Sequence, residues 1–158
     1  IECIIVGMPA GVGEPVFDKL DASLAKAVMS IGAVKGVEIG DGFSVTSSKG
    51  SINNDSFISE NGQVLKQTNH SGGILGGISD GSSIILRAAI KPTPSISQPQ
   101  KTVNTAGENI EIAISGRHDP VIVPRAVVVV ESMAAITLTD LLMQNMTSRI
   151  EYLKNIYL

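Results

Sequence analysis

The chain has 158 residues, of which 43% are hydrophobic and 17% charged, and its formal net charge is −3. This length and composition are typical of one globular domain with a real core and exclude a disordered chain. The 12 lysines and arginines are scattered, which argues against a nucleic-acid-binding surface. Cys3 is the single cysteine, so an internal disulfide and a cysteine-based metal site are both excluded.

Two apolar segments bear on the compartment in which the protein works. Residues 1–6 lack the basic flank and the length of a signal peptide. Residues 127–130 are four valines, but Arg125, Glu131 and Asp140 lie too close to them for a membrane span. We therefore expect a cytoplasmic protein with no membrane partner. Because the chain begins without methionine, we also expect it to be part of a longer protein.

The first forty residues predict a strand, a helix and a second strand. Residues 1–6 are apolar and β-branched, which favours a buried strand. Five apolar residues then recur at helical spacing, at Phe17, Leu20, Leu24, Val28 and Ile31. They predict a helix over 16–31 that ends at Gly32. Residues 34–39 return to the composition of a strand.

The middle of the chain is polar and rich in glycine. Residues 46–62 contain many Ser, Asn, Asp and Gly residues without any period, which predicts an exposed, mobile loop. Strands are predicted at 83–90 and 109–114, and 98–107 fits either a loop or an edge hairpin.

The last third of the chain predicts a long helix and a short one. From Pro124 onward, apolar residues fit one helical face at Ala126, Val130, Met133, Ala134, Ile136, Thr137, Leu141 and Met143. The four valines favour strand locally, but the length and the Ala, Leu and Met content favour helix. A final helix is expected near 149–157. The fold class is therefore mixed α/β (α+β), with no second domain within 1–158.

The glycine-rich segment 72–77 first suggests a phosphate cradle. It does not match the P-loop, because no Gly-Lys-Ser/Thr follows, and its spacing differs from that of the dinucleotide-binding fingerprint. Glycines of this kind let a backbone approach a flat ligand or another strand closely. A tight turn where strands cross explains the segment equally well.

The segment Lys91-Pro92-Thr93-Pro94-Ser95 follows an apolar strand. The two prolines stiffen the backbone and present the hydroxyls of Thr93 and Ser95 in a fixed place. Such hydroxyls and their amides bind phosphate or a ring carbonyl, with Lys91 supplying charge. From local chemistry alone, an ordinary proline-rich turn at the end of a strand is the favoured interpretation.

The densest polar cluster is Gly116-Arg117-His118-Asp119-Pro120. Arg117 can bind a phosphate or carboxylate through two hydrogen bonds, and Asp119 can accept or relay a proton. A local Arg–Asp pair that satisfies the turn is the equal alternative. His70 and His118 lack supporting ligands at a metal-binding spacing, so no metal site is predicted.

The order of these segments resembles the chorismate synthase family. The similar stretches are, in chain order, 11–18, 29–40, 69–79, 91–95 and 116–120. The resemblance covers nearly the whole chain and is least distinctive over 47–66. It implies the C-terminal portion of that family's β-α-β sandwich across residues 1–158, without the N-terminal half.

The resemblance also implies an activity, cofactors and an assembly. The family is a homotetrameric lyase of aromatic amino acid biosynthesis, in the shikimate pathway. It converts 5-enolpyruvylshikimate 3-phosphate to chorismate and phosphate by a 1,4-elimination that requires reduced FMN. NADPH is the further cofactor expected if the parent protein reduces its own flavin.

The family's site residues align with positions of this sequence. The resemblance implies cofactor-binding roles for Gly32, Ala33, Gly76, Lys91, Pro92, Thr93, Pro94, Ser95 and Arg117. It implies catalytic roles for Arg117 and Asp119, with Arg117 beside Asp119 holding that carboxylate ionised. Many relatives have Asn or Pro at Gly32, so this position carries over only as a main-chain contact. Pro94 replaces a Ser or Thr common in the family, which removes one possible side-chain hydrogen bond.

The family's histidine acids and most of its substrate-binding arginines belong to the N-terminal half. We therefore expect this chain alone to fold at least partly but not to turn over substrate. Two alternatives describe it as a non-catalytic flavin-binding half-site or as an oligomerisation module. Exposed apolar surface would promote association in the second case.

Overall fold

The computed structural model describes residues 1–117, 119–148 and 150–157. The strands are β1 Glu2–Ile5, β2 Val34–Ile39, β3 Phe57–Glu60, β4 Gln63–Lys66, β5 Ile74–Leu75, β6 Ile78–Ser79, β7 Ile84–Ile90, β8 Gln100–Val103 and β9 Asn109–Ile112. The α-helices are α1 Leu20–Met29, α2 Gly50–Asn53, α3 Val123–Asn145 and α4 Ile150–Tyr157, and a 3₁₀ helix spans Gly42–Ser47. The mixed α/β class and the strands predicted at 1–6, 34–39 and 83–90 are confirmed.

The core lies between a three-stranded antiparallel sheet, ordered β1-β7-β2, and the helices α1 and α3. Alternate side chains of the central strand β7 point into this core, at Ile84, Leu86 and Ala88. The helices contribute Leu20, Leu24, Val28, Val130, Ala134, Leu138 and Leu141. The edge strand β1 alternates exposed and half-buried residues, so the prediction of a fully buried first strand is wrong.

Helix α1 is shorter than the sequence predicts. Its first residue, Leu20, donates its amide to the Gly77 carbonyl at 2.8 Å, which satisfies one of the free N–H groups at the helix start. Phe17 is 88% exposed, so it does not belong to the buried stripe that begins at Leu20. The helix ends at Met29, before the predicted stop at Gly32.

The region predicted as a loop over 46–62 contains regular structure. Strands β3 and β4 form a hairpin that closes through Asn61 and Gly62, both at positive φ (51° and 79°). Asn-Gly at positive φ is the preferred connection of a two-residue hairpin, and this signal was missed. Strands β8 and β9 pair as a hairpin, so the hairpin alternative for 98–107 is confirmed.

Helix α3 confirms the predicted long helix, although its buried face differs in part. Leu138 is buried and was not predicted, whereas Ile136 and Met143 are 63% and 64% exposed. Among the described residues α3 is the one helix long and apolar enough to cross a membrane by length and composition, and 22% of its most apolar window is buried. A core helix meets the same criterion, and α3 packs on α1 and the sheet.

The ends of the sheet and of the helices define two ends of the molecule. The α3 residue Asn145 donates to the Gly11 carbonyl at 2.8 Å, and Gly11 donates to the Ser79 carbonyl at 2.8 Å. The end of α3 therefore lies beside the start of α1, which contacts Gly77. The two helices run in opposite directions, and the 23 residues of α3 extend beyond the end at which the 10 residues of α1 finish and β7 leads into Lys91.

Candidate functional site

A backbone contact joins two of the predicted cofactor-binding segments. The Lys91 amide donates to the Ala33 carbonyl at 2.8 Å, next to the pairing of Val34 with Ile90. Ala33 has φ of 72°, a conformation that costs a non-glycine residue of order 1 kcal/mol or more. Backbone strain of this kind concentrates at functional sites. The sheet therefore brings Gly32-Ala33 and the Lys91 segment together.

The Thr93 hydroxyl is the most informative atom of the Lys91 segment. Its Oγ1 is buried and has no hydrogen-bond partner among the described residues. The next residue, Pro94, is held in place because its carbonyl accepts a hydrogen bond from Gln100 Nε2 at 3.1 Å, at the start of β8. A buried polar group without a partner costs about 1–3 kcal/mol, so a ligand that pairs with this hydroxyl would recover that energy.

The polar cluster before α3 is arranged differently from the prediction. Asp119 pairs with Arg125, with 2.9 Å between Asp119 Oδ2 and Arg125 Nη1, and not with Arg117. Arg125 lies in the first turn of α3, so the helix start brings it back towards the acid. Both side chains are substantially exposed, so the pair contributes little to stability, about 0–1 kcal/mol. His118 lies outside the described residues.

Two of the three arginines that the structure describes have partners within the chain. Arg87 contacts Glu38 and the Gly40 carbonyl, each at 3.1 Å, and Arg125 contacts Asp119. Arg149 lies outside the described residues. Arg117 is exposed and has no ion-pair partner in the part of the chain that the structure describes, and the same holds for Lys91. These two cations remain available to an anionic ligand.

Gly76 lies away from the other predicted site residues. It forms the tip of the β5–β6 hairpin with Gly77, at φ of 60° and 91°, which is a type I′ arrangement. A Cβ placed on Gly76 would have no heavy atom within 4 Å, so the space before it is open. This hairpin adjoins the start of β7, whereas Lys91 follows its end, roughly 20 Å away along seven residues of strand.

Several of the predicted site residues carry groups that suit a flavin nucleotide. Lys91 and Arg117 can receive phosphate or carboxylate charge, and Thr93 offers an unpaired hydroxyl. Asp119 supplies a carboxylate that is paired with Arg125. A place for Gly76 in the same flavin site stays a prediction, because Gly76 adjoins the start of β7 and Lys91 follows its end. No group of three or more His, Cys, Asp or Glu side chains able to hold a metal occurs among the described residues.

A buried polar cluster that the sequence did not predict joins Asp55, in the segment expected to be a loop, to Lys66 and Asp80. Lys66 is 3% exposed and contacts Asp55 and Asp80, which are 4% and 8% exposed. Burial of a lysine and two carboxylates is rare unless they are paired. The sequence gives no periodic signal for this cluster, because its members come from a hairpin and two loops that meet only in the fold.

Known proteins of one family are similar to this chain. The family profile described as chorismate synthase matches residues 1–143. A chorismate synthase of Lachnoclostridium phytofermentans is 70% identical over 158 residues, 99% of this chain and 43% of its own length. One from Agathobacter rectalis is 64% identical over 156 residues, 99% of this chain and 42% of its length.

A more distant relative and a solved structure are also similar to this chain. A chorismate synthase of Methanococcoides burtonii is 60% identical over 141 residues, covering 89% of this chain and 38% of the relative. A crystal structure of chorismate synthase superposes with a TM-score of 0.74 at 33% identity, covering 92% of this chain and 37% of that one. The chain thus spans less than half the length of the relatives it matches. It belongs to the chorismate synthase family.

Proposed function

We propose that the full-length protein is a chorismate synthase, a carbon–oxygen lyase that uses reduced FMN. It converts 5-enolpyruvylshikimate 3-phosphate to chorismate by a 1,4-elimination, in which a C–O bond to phosphate breaks and a ring proton leaves. The observation that carries the proposal is the 70% identity to a named chorismate synthase across 99% of this chain. The unpaired Thr93 hydroxyl and the two free cations support it.

We propose a role for each residue of the segment 91–95, for Gly32 and Ala33, and for Arg117. Lys91 and Arg117 hold anionic groups of cofactor and substrate, with Arg117 at the junction of the two. Thr93 donates its buried hydroxyl to the flavin ring, while Gly32, Ala33, Pro92, Pro94 and Ser95 shape the backbone around it. Reduced FMN held by these residues would supply electron density that favours breaking of the C–O bond to phosphate.

Asp119 is proposed to accept or relay the ring proton through its carboxylate. Its ion pair with Arg125 fixes the orientation of that carboxylate at the entrance to α3. Since the pair is exposed, other groups can reach the acid without first breaking a buried contact. Arg125 is therefore a positioning residue for Asp119 in this account.

The chain alone is proposed to be inactive. The chain spans less than half the length of its relatives, and we propose that residues outside it complete the substrate site. We propose that the full-length protein acts in the cytoplasm as a homotetramer, without a nucleic-acid or membrane partner. The reductant is proposed to be NADPH only where the parent protein reduces its own flavin.

A second reading, as a flavin-binding half-site or oligomerisation module, applies to the isolated chain. It is supported by the outward apolar residues of α3, of which Val128 is 59% exposed and Ile136 63% exposed. FMN titration of the 158-residue chain separates the two forms of this reading. Binding of FMN without turnover supports the half-site, whereas association without FMN binding supports the oligomerisation module.

A further inference from the structure

The strongest unassigned feature is the buried group formed by Lys66, Asp55, Asn69, Ser71 and Asp80, named here the Lys66 cluster. The Lys66 ammonium lies 2.7 Å from Asp80 Oδ2 and 2.8 Å from Ser71 Oγ. It also lies 3.1 Å from Asn69 Oδ1 and 3.2 Å from Asp55 Oδ2. One cation is thus surrounded by four oxygen atoms from four different residues.

Asp55 is the second hub of the cluster. Its carboxylate accepts hydrogen bonds from the Ser71 amide and hydroxyl, the His70 amide and the Thr68 hydroxyl, at 2.7–2.9 Å. Burial alone would raise the pKa of Asp55, but these hydrogen bonds outweigh it and hold the pKa well below its ordinary value. Asp55 is therefore a fixed anion, and its position is determined by the backbone it binds.

The cluster closes the base of the β5–β6 hairpin from both sides. On the entering side, Asn69 Oδ1 accepts from the Gly73 amide at 2.7 Å and Asn69 Nδ2 donates to the Ser83 carbonyl at 2.8 Å. On the leaving side, the Asp80 amide donates to the Gly73 carbonyl at 3.0 Å. The tip at Gly76 is three residues from Gly73, so the orientation of the tip depends on this base.

Stability alone is a weak explanation for such a cluster. One lysine against two aspartates leaves a net charge of −1 in a buried place, and burying ions is expensive. Apolar residues of similar size often stabilise a fold as well or better. The arrangement is suited instead to fixing one geometry, because the Lys66 ammonium has four defined oxygen partners.

We propose that Lys66 is a positioning residue, which through this cluster sets the orientation of the β5–β6 hairpin and so places the Gly76 turn against the flavin. The inference rests on the proposed function and on a place for Gly76 beside the flavin, where a Cβ on Gly76 would meet no heavy atom within 4 Å. It extends that function by assigning a role to residues with no contact to either ligand.

The test uses the full-length protein and oxidised FMN, whose visible absorbance and fluorescence report binding directly. Lys66→Met removes the ammonium and leaves two unpaired carboxylates, for a cluster charge of −2. Lys66→Met/Asp80→Asn returns the charge to −1 without restoring the four ammonium contacts. Lys49→Met is the matched control, because Lys49 is an exposed lysine of the same region.

We expect both Lys66 variants to raise the FMN Kd roughly tenfold or more, because a displaced Gly76 turn loses contacts to the flavin worth about 1.4 kcal/mol. The double variant should recover much of the melting temperature lost by Lys66→Met while its FMN Kd stays high. The Lys49→Met Kd should match that of the wild type. If Lys66→Met fails to fold, the double variant decides.

Two results would overturn the inference. An FMN Kd in the double variant equal to that of the wild type shows that charge balance, and not the ammonium contacts, is what matters. An unchanged Kd in a folded Lys66→Met protein shows that the cluster is only structural. Failure of the wild-type protein to bind FMN would instead reject the proposed function, and this inference with it.

Discussion

Thr93 is the residue whose chemistry the fold leaves most visibly incomplete, since its buried hydroxyl has no partner in the described chain. In the absence of ligand, replacing this hydroxyl by a methyl group should be neutral or stabilising, because an unpaired buried group is removed. With FMN present, Thr93→Val should weaken binding by about 1 kcal/mol, the net value of one hydrogen bond.

The measurement is an FMN titration together with a melting temperature, both on the full-length protein. Thr102→Val is the control, because Thr102 lies exposed on β8. A Thr93→Val protein that is less stable without FMN, yet binds it normally, would show that the hydroxyl serves the fold and not the ligand.

The Asp55 carboxyl makes the folding stability depend on pH. Its pKa is depressed in the folded chain by the hydrogen bonds it accepts, despite the opposing effect of burial. A depressed carboxyl pKa adds stability above the unfolded value of about 3.9, and that stability is lost as pH falls through the folded pKa. The pKa of Asp80 is also depressed, because hydrogen bonds from Lys66 and Ser82 outweigh the opposing effect of burial, so this acid also loses stabilising energy as pH falls.

Asp55→Asn should therefore lower the free energy of unfolding at neutral pH and flatten its fall below about pH 4. Urea unfolding at a series of pH values measures both effects. Asp21→Asn serves as a control, because Asp21 has an exposed ion pair with Lys19. An acid limb as steep in Asp55→Asn as in the wild type would contradict the assignment.

At the scale of elements, two hairpin turns allow a clean comparison. Gly76 and Gly62 both have positive φ and open space where a Cβ would lie. Alanine at either position should cost about 1 kcal/mol of stability, because the turn disfavours a side chain. Gly76→Ala should in addition raise the FMN Kd, since its new methyl group enters the proposed ligand space.

FMN titration and melting temperature of the two full-length variants test this prediction. Equal melting temperatures with weaker FMN binding in Gly76→Ala alone would support the assignment of Gly76. Equal FMN affinity in both variants would remove Gly76 from the flavin site and leave it as an ordinary turn glycine.

Elements with a strong hydrophobic period were predictable from the sequence, and those defined by distant partners were not. Strand β7 and helix α3 carry their own patterns, so their existence followed from the residues. The start of α1 at Leu20 depends on the Gly77 carbonyl, some 57 positions later, and no local pattern could give it. The sequence did not predict the Lys66 cluster for the same reason, because its residues meet only after β3 and β4 pair.

The candidate site shows the same division. The motifs at Lys91 and Arg117 were found from local chemistry and from their order, and Lys91 does adjoin Ala33. The partner of Asp119 was not predicted correctly, because the first turn of α3 brings Arg125 to this carboxylate and Arg117 does not pair with it. Gly76 aligned with the family's flavin residues, yet it lies at the opposite end of β7 from Lys91.

For the whole molecule, the outward apolar surface matters most. Val128 and Ile136 are more than half exposed on α3, and the relatives are more than twice as long as this chain. Apolar surface of this kind is normally covered in a working protein. We expect the 158-residue chain to self-associate in isolation.

Val128→Glu/Ile136→Glu should shift this chain towards the monomer without unfolding it, as light scattering and circular dichroism would show. Ser48→Glu, which adds charge at an exposed polar position, should leave association unchanged. A wild-type chain that is already monomeric at high concentration would contradict the expectation.

The most direct test of the account is anaerobic formation of chorismate from 5-enolpyruvylshikimate 3-phosphate with dithionite-reduced FMN. It compares this chain, the full-length protein and its Asp119→Ala variant, each checked for folding. We predict turnover by the full-length protein alone, reduced about 10²–10⁴-fold by the substitution, as expected for loss of a general acid–base group. No chorismate from a folded, FMN-loaded full-length protein would contradict the proposed function, and full activity in Asp119→Ala would contradict the role of Asp119.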